Sequence, residues 1–178
     1  MTATKWKNMN KRIVGILAAL VIYLGCLLQP FGLVFPNIIY INVTESLPVG
    51  VYLAIPSVAM RNGDIVAFRQ RADVMETIYK NGWMRDGENP TFIKRAAFHG
   101  SYAVDPEDLA FRVNDVFIGS AMRDDGKGHT LYPQFGTHNI AAGEFLPYTL
   151  APRSYDGRYY GTVQTEQIEA RVIPFLTK

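Results

Sequence analysis

Residues 42–52 read NVTESLPVGVY, in which Ser46 is followed by Pro48 and Gly50. Proline fixes its backbone φ angle, whereas glycine reaches angles that other residues avoid. A backbone that is restricted at Pro48 and unrestricted at Gly50 can hold the Ser46 hydroxyl in one direction. By itself, however, the pattern is more typical of a turn between two strands, so the neighbouring motifs decide whether Ser46 is a nucleophile.

Three further motifs follow Ser46. They read GDIVAF at residues 63–68, FIKRAA at 92–97 and SYDGRYYG at 154–161. Preceded by an apolar N-terminal segment, this order resembles the type I signal peptidase superfamily of Ser/Lys proteases, and most closely its branch of conjugative-transfer peptidases of the TraF type. The resemblance covers nearly the whole chain, and four blocks in order are more specific than any one of them.

Two positions depart from the pattern of the housekeeping signal peptidases. Those enzymes have a methionine after the serine, where this chain has Leu47 and then Pro48. Their last motif begins Gly-Asp-Asn-Arg, where this chain has APR at residues 151–153. Both departures favour the TraF-type branch, and a housekeeping-type signal peptidase I is the alternative.

Length and composition limit the possible classes of protein. A chain of 178 residues accommodates one ordinary domain, or an anchor followed by a compact domain of roughly 140 residues. The net charge of +2 is too small to indicate a nucleic-acid partner, and 15 glycines with 10 prolines suit a β protein. Cys26 is the only cysteine in the sequence, so a disulfide framework within the chain is excluded.

The N-terminal part of the chain has the pattern of a membrane anchor. Residues 13–28 are apolar except for Tyr23, and the apolar character continues to Phe35, which supplies the length of about 20 residues that a helical span requires. A cleaved signal peptide is the competing interpretation, but no small-x-small site follows the apolar run. The sequence therefore predicts an uncleaved transmembrane anchor over residues 13–35.

Basic residues set the predicted orientation of this anchor. Lys5, Lys7, Lys11 and Arg12 all precede the apolar segment and favour a cytoplasmic N-terminus. The predicted domains are a cytoplasmic basic N-terminus at residues 1–12, the anchor at 13–35, and a periplasmic serine peptidase domain at 36–178. The predicted location is the inner membrane, crossed once, with membrane lipid as a partner of the anchor.

The remainder of the chain has the pattern of short strands separated by turns. Strands are predicted at residues 38–43, 49–55, 65–68, 90–98, 101–104, 111–113, 116–118, 144–150 and 170–175. A helix is predicted over residues 72–82, a hairpin turn at Asn114-Asp115, and one helical turn at 165–168. The predicted fold is mainly β, an antiparallel-sheet, barrel-like signal peptidase fold with a small helical insertion and one N-terminal transmembrane helix.

Lys94 is the candidate base for the Ser46 hydroxyl. A serine hydroxyl is a poor nucleophile until a base removes its proton, and a neutral lysine can serve. Strand alternation places Lys94 on the face shared by Phe92 and Ala96, where burial would lower the pKa of its amine. A lone lysine in a strand is more often a surface residue; the order of motifs favours a catalytic role here.

The resemblance implies roles for four supporting residues. The Ser154 hydroxyl would hydrogen-bond the Lys94 amine, and Asp156 would pair with Arg158 to fix the loop that carries Ser154. The Thr44 hydroxyl, together with the Ser46 backbone N–H, would stabilise the oxyanion of the tetrahedral intermediate. Without the resemblance, Thr44 is equally typical of a plain strand residue, and Asp156-Gly157 of an Asx-type turn.

Other catalytic chemistries have little support in the sequence. His99, His129 and His138 are scattered and lie in no metal-binding spacing. The chain contains no GxxxxGK[ST] or GxGxxG motif, so a nucleotide cofactor is not indicated. The sequence therefore predicts neither a cofactor nor a metal.

The sequence thus predicts a membrane-anchored serine endopeptidase that acts through a Ser46/Lys94 dyad and an acyl-enzyme. Its expected substrates are exported precursors, with the resemblance implying the pilin or another component of a conjugative type IV secretion system. Capture of the acyl-enzyme by a pilin amine instead of water, giving transpeptidation or cyclisation, stays open. The alternative from a different class is a non-catalytic scaffold of the transfer apparatus.

Overall fold

A computed structural model of the protein describes residues 3–28, 37–56 and 59–178. The chain divides into two compact units, Met1–Ile38 and Ile39–Lys178. The first unit contains helix α1, Ala3–Leu28, whose apolar side chains between Ile13 and Leu24 are exposed.

The predicted transmembrane anchor is not supported. Within the described ranges, no helix combines the length and the apolar character that crossing a membrane requires. The segment that was to complete the anchor, residues 29–35, lies outside the described part of the chain.

The second unit is built mainly from short strands. The strands are β1 Ile39–Asn42, β2 Gly50–Ile55, β3 Ile65–Phe68, β4 Phe92–Ala97, β5 Ser101–Val104, β6 Ala110–Val113, β7 Val116–Ser120, β8 Gly136–Asn139, β9 Glu144–Tyr148, β10 Val163–Gln164 and β11 Ile168–Thr177. The helices are α2 Ala72–Lys80 and α3 Gly157–Tyr160, and a 3-10 turn is formed by Thr165–Gln167.

The strands form two sheets. One has seven strands in the order β1-β2-β11-β3-β4-β9-β10, and the other has four in the order β7-β6-β5-β8. All pairings between these strands are antiparallel. The prediction of a mainly β fold with antiparallel sheets is confirmed.

Strand β4 lies inside the larger sheet, between β3 and β9, with Lys94 opposite Val66. On one face, apolar side chains of β3, β4 and β9 pack against Val74, Met75 and Ile78 of α2. The i, i+4 stripe predicted for this helix therefore covers the sheet, as expected for a surface insertion. On the other face, Leu47 from the Ser46 loop packs with side chains of β1 to β4 and β11.

Three elements were not predicted, and all are short: helix α3, strand β8 and the two-residue strand β10. Helix α3 has four residues, and its N-terminus is capped by Asp156, which accepts a hydrogen bond from the Arg158 N–H. Strand β8 is the exposed edge sequence GTHN, which lacks the apolar alternation that marks a half-buried strand. The helix predicted between Ala72 and Gly82, with Asn81-Gly82 as its stop, ends at Lys80, and Gly82 has a positive φ of 65°.

Gly50, where β2 begins, is expected to tolerate no side chain. Its φ is +145°, and a Cβ atom there would overlap the backbone of Leu176 in β11. Gly50→Ala should lower the free energy of unfolding by about 3 kcal/mol, because strain and overpacking add. Gly143→Ala is the matched control, since Gly143 has a φ of +83° and a Cβ atom there would meet nothing within 4 Å. Urea unfolding of both variants tests this; equal losses would contradict it.

Candidate active site

Ser46 lies in the loop between β1 and β2, with its hydroxyl 2.9 Å from the Thr44 hydroxyl. Leu47, directly after it, is buried against the sheet. The Pro48 carbonyl accepts a hydrogen bond of 2.7 Å from the Tyr52 hydroxyl. The residues that follow Ser46 are therefore held to the sheet, while Ser46 itself is half-buried.

Asn42, a buried residue at the end of β1, organises this loop. Its Nδ2 donates to the Leu47 carbonyl at 2.9 Å, and its Oδ1 accepts from the Thr44 hydroxyl at 2.9 Å. Since a hydroxyl has one hydrogen, the Thr44 hydroxyl is used as a donor to Asn42 and accepts from Ser46. No role was predicted for Asn42 from the sequence, although Asn-x-Thr before a turn is typical of an Asx turn.

Lys94 is buried on the face of β4 that α2 covers, with 6% of its surface exposed. Its Nζ donates a hydrogen bond of 2.8 Å to the Ser154 hydroxyl. Burial lowers the pKa of Lys94 from its usual 10.5 to about 8; the charge of Asp156 opposes this shift and that of Arg158 adds to it. Roughly a tenth of the amine is therefore neutral at pH 7, and about half at pH 8.

The loop that carries Ser154 is fixed by a buried ion pair. Arg158 Nε lies 2.8 Å from Asp156 Oδ1, and both side chains are fully buried. Arg158 also donates to the Thr149 and Ser120 carbonyls at 2.7 and 2.9 Å, and its guanidinium lies over the Phe111 ring. The Asp156 carboxylate in turn accepts from the Thr149 N–H at 3.1 Å.

One cleft of about 690 Å³ brings the two motifs together. Ser46, Thr44, Lys94 and Ser154 all line it. Across the described residues, Ser46 and Lys94 are not hydrogen-bonded to each other; Ser46 pairs with Thr44 and Lys94 with Ser154. The arrangement places an alcohol and a sheltered amine beside one cavity, each held by a second hydroxyl.

Comparison with known proteins identifies the family of this chain. The profile of the family described as "Signal peptidase, peptidase S26" matches residues 6–176. The chain belongs to this family. Plasmid transfer protein TraF of Escherichia coli is 26% identical over 147 residues, which cover 77% of this chain and 82% of that protein. This S26 family member is thus a protease of the signal peptidase type, and its resemblance to the TraF-type branch is confirmed.

Asn42→Ala is expected to slow peptide cleavage by this S26 peptidase by about 10- to 100-fold. The substitution releases the Thr44 hydroxyl and leaves the buried Leu47 carbonyl without its donor. Ser46 then loses its fixed position at the cleft. The measurement is kcat on a precursor peptide, with the free energy of unfolding determined in parallel.

Asn62→Ala is the matched control for this prediction. Asn62 also ties a turn to the backbone, accepting from the Phe98 N–H at 2.7 Å and donating to the His99 carbonyl at 3.1 Å, but it does not line the cleft. We expect a loss of stability without a loss of kcat. A similar fall in kcat for both variants would show that the effect of Asn42 is only on folding.

Proposed function

We propose that the protein is a serine endopeptidase in which Ser46 attacks the scissile carbonyl and Lys94 is the general base. The observation that supports this most directly is the buried Lys94 amine, held at 2.8 Å by Ser154 in the cleft that Ser46 lines. A neutral amine donates one hydrogen to Ser154 and keeps its lone pair for the Ser46 proton.

The first half of the reaction forms an acyl-enzyme. Ser46 Oγ bonds to the substrate carbonyl carbon while its proton moves to Lys94 Nζ. The Ser46 N–H and the Thr44 hydroxyl would donate to the oxyanion, for which the Thr44 hydroxyl must turn away from Asn42. When the intermediate collapses, Lys94 returns the proton to the leaving amine and the carbonyl stays on Ser46.

The second half of the reaction releases the product. Lys94, neutral again, takes a proton from water as the water attacks the acyl carbon, and then gives that proton to Ser46 Oγ as the bond between Ser46 and the acyl carbon breaks. An amine of the precursor can replace water as the attacking group, and the product is then a new peptide bond or a cyclic chain. Asp156 and Arg158 act indirectly, by fixing the loop of Ser154.

The proposed substrates are exported precursors with small side chains near the cut, in particular the pilin of a conjugative type IV secretion system. The similar protein from Escherichia coli is a plasmid transfer protein, which supports a role in conjugation.

A location at the periplasmic face of the inner membrane is also a proposal. Ile39 and Ile41 of β1 and Ile173 of β11 present exposed apolar side chains on one end of the larger sheet. This surface, and the exposed apolar side chains of α1, favour contact with lipid. The basic residues before residue 13 favour a cytoplasmic N-terminus.

The test is processing of a conjugative pilin precursor by the purified full-length protein, followed by mass spectrometry. We expect the wild type to produce a truncated or cyclic product, and Ser46→Ala to produce none. His138→Ala, at a half-buried histidine of the edge strand β8 that does not line the cleft, should process normally. A wild type without products favours a scaffold, and a Ser46→Ala variant that retains them shows that Ser46 is not the nucleophile; either result overturns the proposal.

A further inference from the structure

A group of half-buried apolar side chains lines the cleft of Ser46 and Lys94. This group, the aromatic basin, consists of Trp83, Met84, Phe92, Met122 and Tyr155. Its members come from four separate segments: the loop after α2, strand β4, the loop after β7 and the loop before α3. Apolar side chains that converge in this way and stay partly exposed form a surface suited to an apolar ligand group.

The indole of Trp83 is held in place by a network outside the Ser/Lys pair. Its Nε1 donates to Asp125 Oδ2 at 2.9 Å, and His129 Nδ1 lies 2.6 Å from the same oxygen. Asp125 Oδ1 accepts from the Lys127 and His129 N–H groups at 2.8 and 3.1 Å. The indole N–H is thereby satisfied, and the basin presents the apolar surface of the ring.

The hydrogen bonds around Asp125 also settle its charge. Burial would raise the pKa of its carboxyl, but hydrogen bonds from His129, the Lys127 N–H and Trp83 together hold that pKa below its usual range. The carboxylate is thus ionised at neutral pH and keeps accepting from the indole. The loop at residues 124–131 therefore fixes the position of Trp83 before any ligand binds.

The basin is adjacent to the general base of the proposed mechanism. The Trp83 ring packs against Tyr155 with ring centres 4.9 Å apart, and Tyr155 stacks on Tyr159 at 5.4 Å. Tyr155 directly follows Ser154, whose hydroxyl holds Lys94. A group that fills the basin therefore lies beside the segment that positions the amine.

We infer that the aromatic basin is a specificity subsite that takes one large apolar or aromatic side chain of the precursor. The inference rests on the proposed function. Since the basin opens into the cleft of Ser46, the chain that reaches Ser46 is the one that can fill it. This subsite is distinct from the positions that hold the small side chains next to the scissile bond. The basin is formed by Trp83 and Tyr155 and not by the Ser46 loop.

The first test is a peptide library cleaved by the full-length protein. Positions within six residues of the cut are varied among Ala, Leu, Phe, Asp and Lys, and products are quantified by mass spectrometry. We expect Leu or Phe at one position to raise kcat/KM on the order of 10- to 100-fold over Ala. Trp83→Ala should abolish this preference while peptides with Ala there are still cut.

Two further variants separate the basin from general effects. Tyr132→Ala removes an aromatic ring that is 77% exposed and not part of the cleft lining, and should keep the preference. Asp125→Asn weakens the hydrogen bond that positions the Trp83 indole and should partially reduce the preference for Leu or Phe. Cleavage without a preference for Leu or Phe at any position, or a preference that Trp83→Ala retains, overturns the inference; absence of all cleavage overturns the proposed function instead.

Binding gives a second readout that does not depend on turnover. The sequence has two tryptophans, so Trp6→Phe leaves Trp83 as the sole indole, and Ser46→Ala prevents cleavage. Titration of this double variant with the preferred Phe peptide should shift the fluorescence emission of Trp83. The same peptide with Ala in place of Phe should require a concentration at least tenfold higher for the same shift. Identical titrations with both peptides would contradict the subsite.

Discussion

Lys94→Met is expected to slow precursor cleavage on the order of 10⁴-fold or more. Methionine fills a similar volume and tolerates burial, so the packing of β4 against α2 is retained, but it has no lone pair basic enough to take the Ser46 proton. Steady-state kinetics on a precursor peptide measure the loss. Lys127→Met, at an exposed lysine of the same cleft, is the matched control and should retain at least about half of the activity.

The pH profile of the wild type provides an independent check on Lys94. Because burial lowers the pKa of its amine to about 8, the neutral base is the minor form below that pH. We expect kcat/KM to rise about tenfold per pH unit at acidic pH and to level off above pH 8. A profile governed by a group with a pKa near 6 would point to a histidine instead.

Lys94→Met should stabilise the fold in one pH range only. The Lys94 amine has a pKa of about 8 in the folded chain against 10.5 ordinarily, so the unfolded chain binds more protons between these values. The free energy of unfolding that is lost by burying the Lys94 charge is lost in full below about pH 8. This loss disappears as the pH rises to 10.5. Lys94→Met should therefore gain up to about 3 kcal/mol at pH 6, less the hydrogen bond to Ser154, and almost nothing at pH 10.5. A gain that is independent of pH would contradict this assignment.

Arg158→Met should be the most destabilising single change among those considered, at about 3–5 kcal/mol. It leaves the buried Asp156 carboxylate without its partner and the Thr149 and Ser120 carbonyls without a donor. Where the variant still folds, Ser154 should lose its fixed position and kcat should fall. Urea unfolding and kinetics of the same preparation measure both effects.

Arg112→Met is the control for the loss of an arginine over an aromatic ring. Its guanidinium lies over Phe117, but on the exposed surface, and its replacement should cost under about 1 kcal/mol.

Asp156→Asn combined with Arg158→Met should cost less than the sum of the two single changes, because the double variant buries no lone charge. Additive losses would mean that the two side chains stabilise the fold independently.

The predicted transmembrane span at residues 13–35 stays without support, because none of the described helices is long and apolar enough for one. Residues 29–35 of that span lie outside the described part of the chain.

Local patterns in the sequence determined the strands and turns. The apolar run after the turn signal at residues 62–64 located β3 at its observed bounds, and β5 was also located at its observed bounds. Asn114-Asp115 forms the expected hairpin turn, with both residues at positive φ. The order of motifs determined the family as well. These features depend on residues a few positions apart, so they can be read from the chain itself.

Contacts between distant segments were decided by the tertiary structure. The sequence placed Lys94 on an apolar strand face, but its burial is a property of the folded chain, and its hydrogen bond reaches Ser154, 60 positions away. Likewise, the network of Trp83, Asp125 and His129 has no local signal, since Trp83 and Asp125 lie 42 positions apart. The desolvation that lowers the pKa of an amine, and the hydrogen bonds that hold an indole, come from the groups that folding brings around them, and no spacing along the chain specifies those groups.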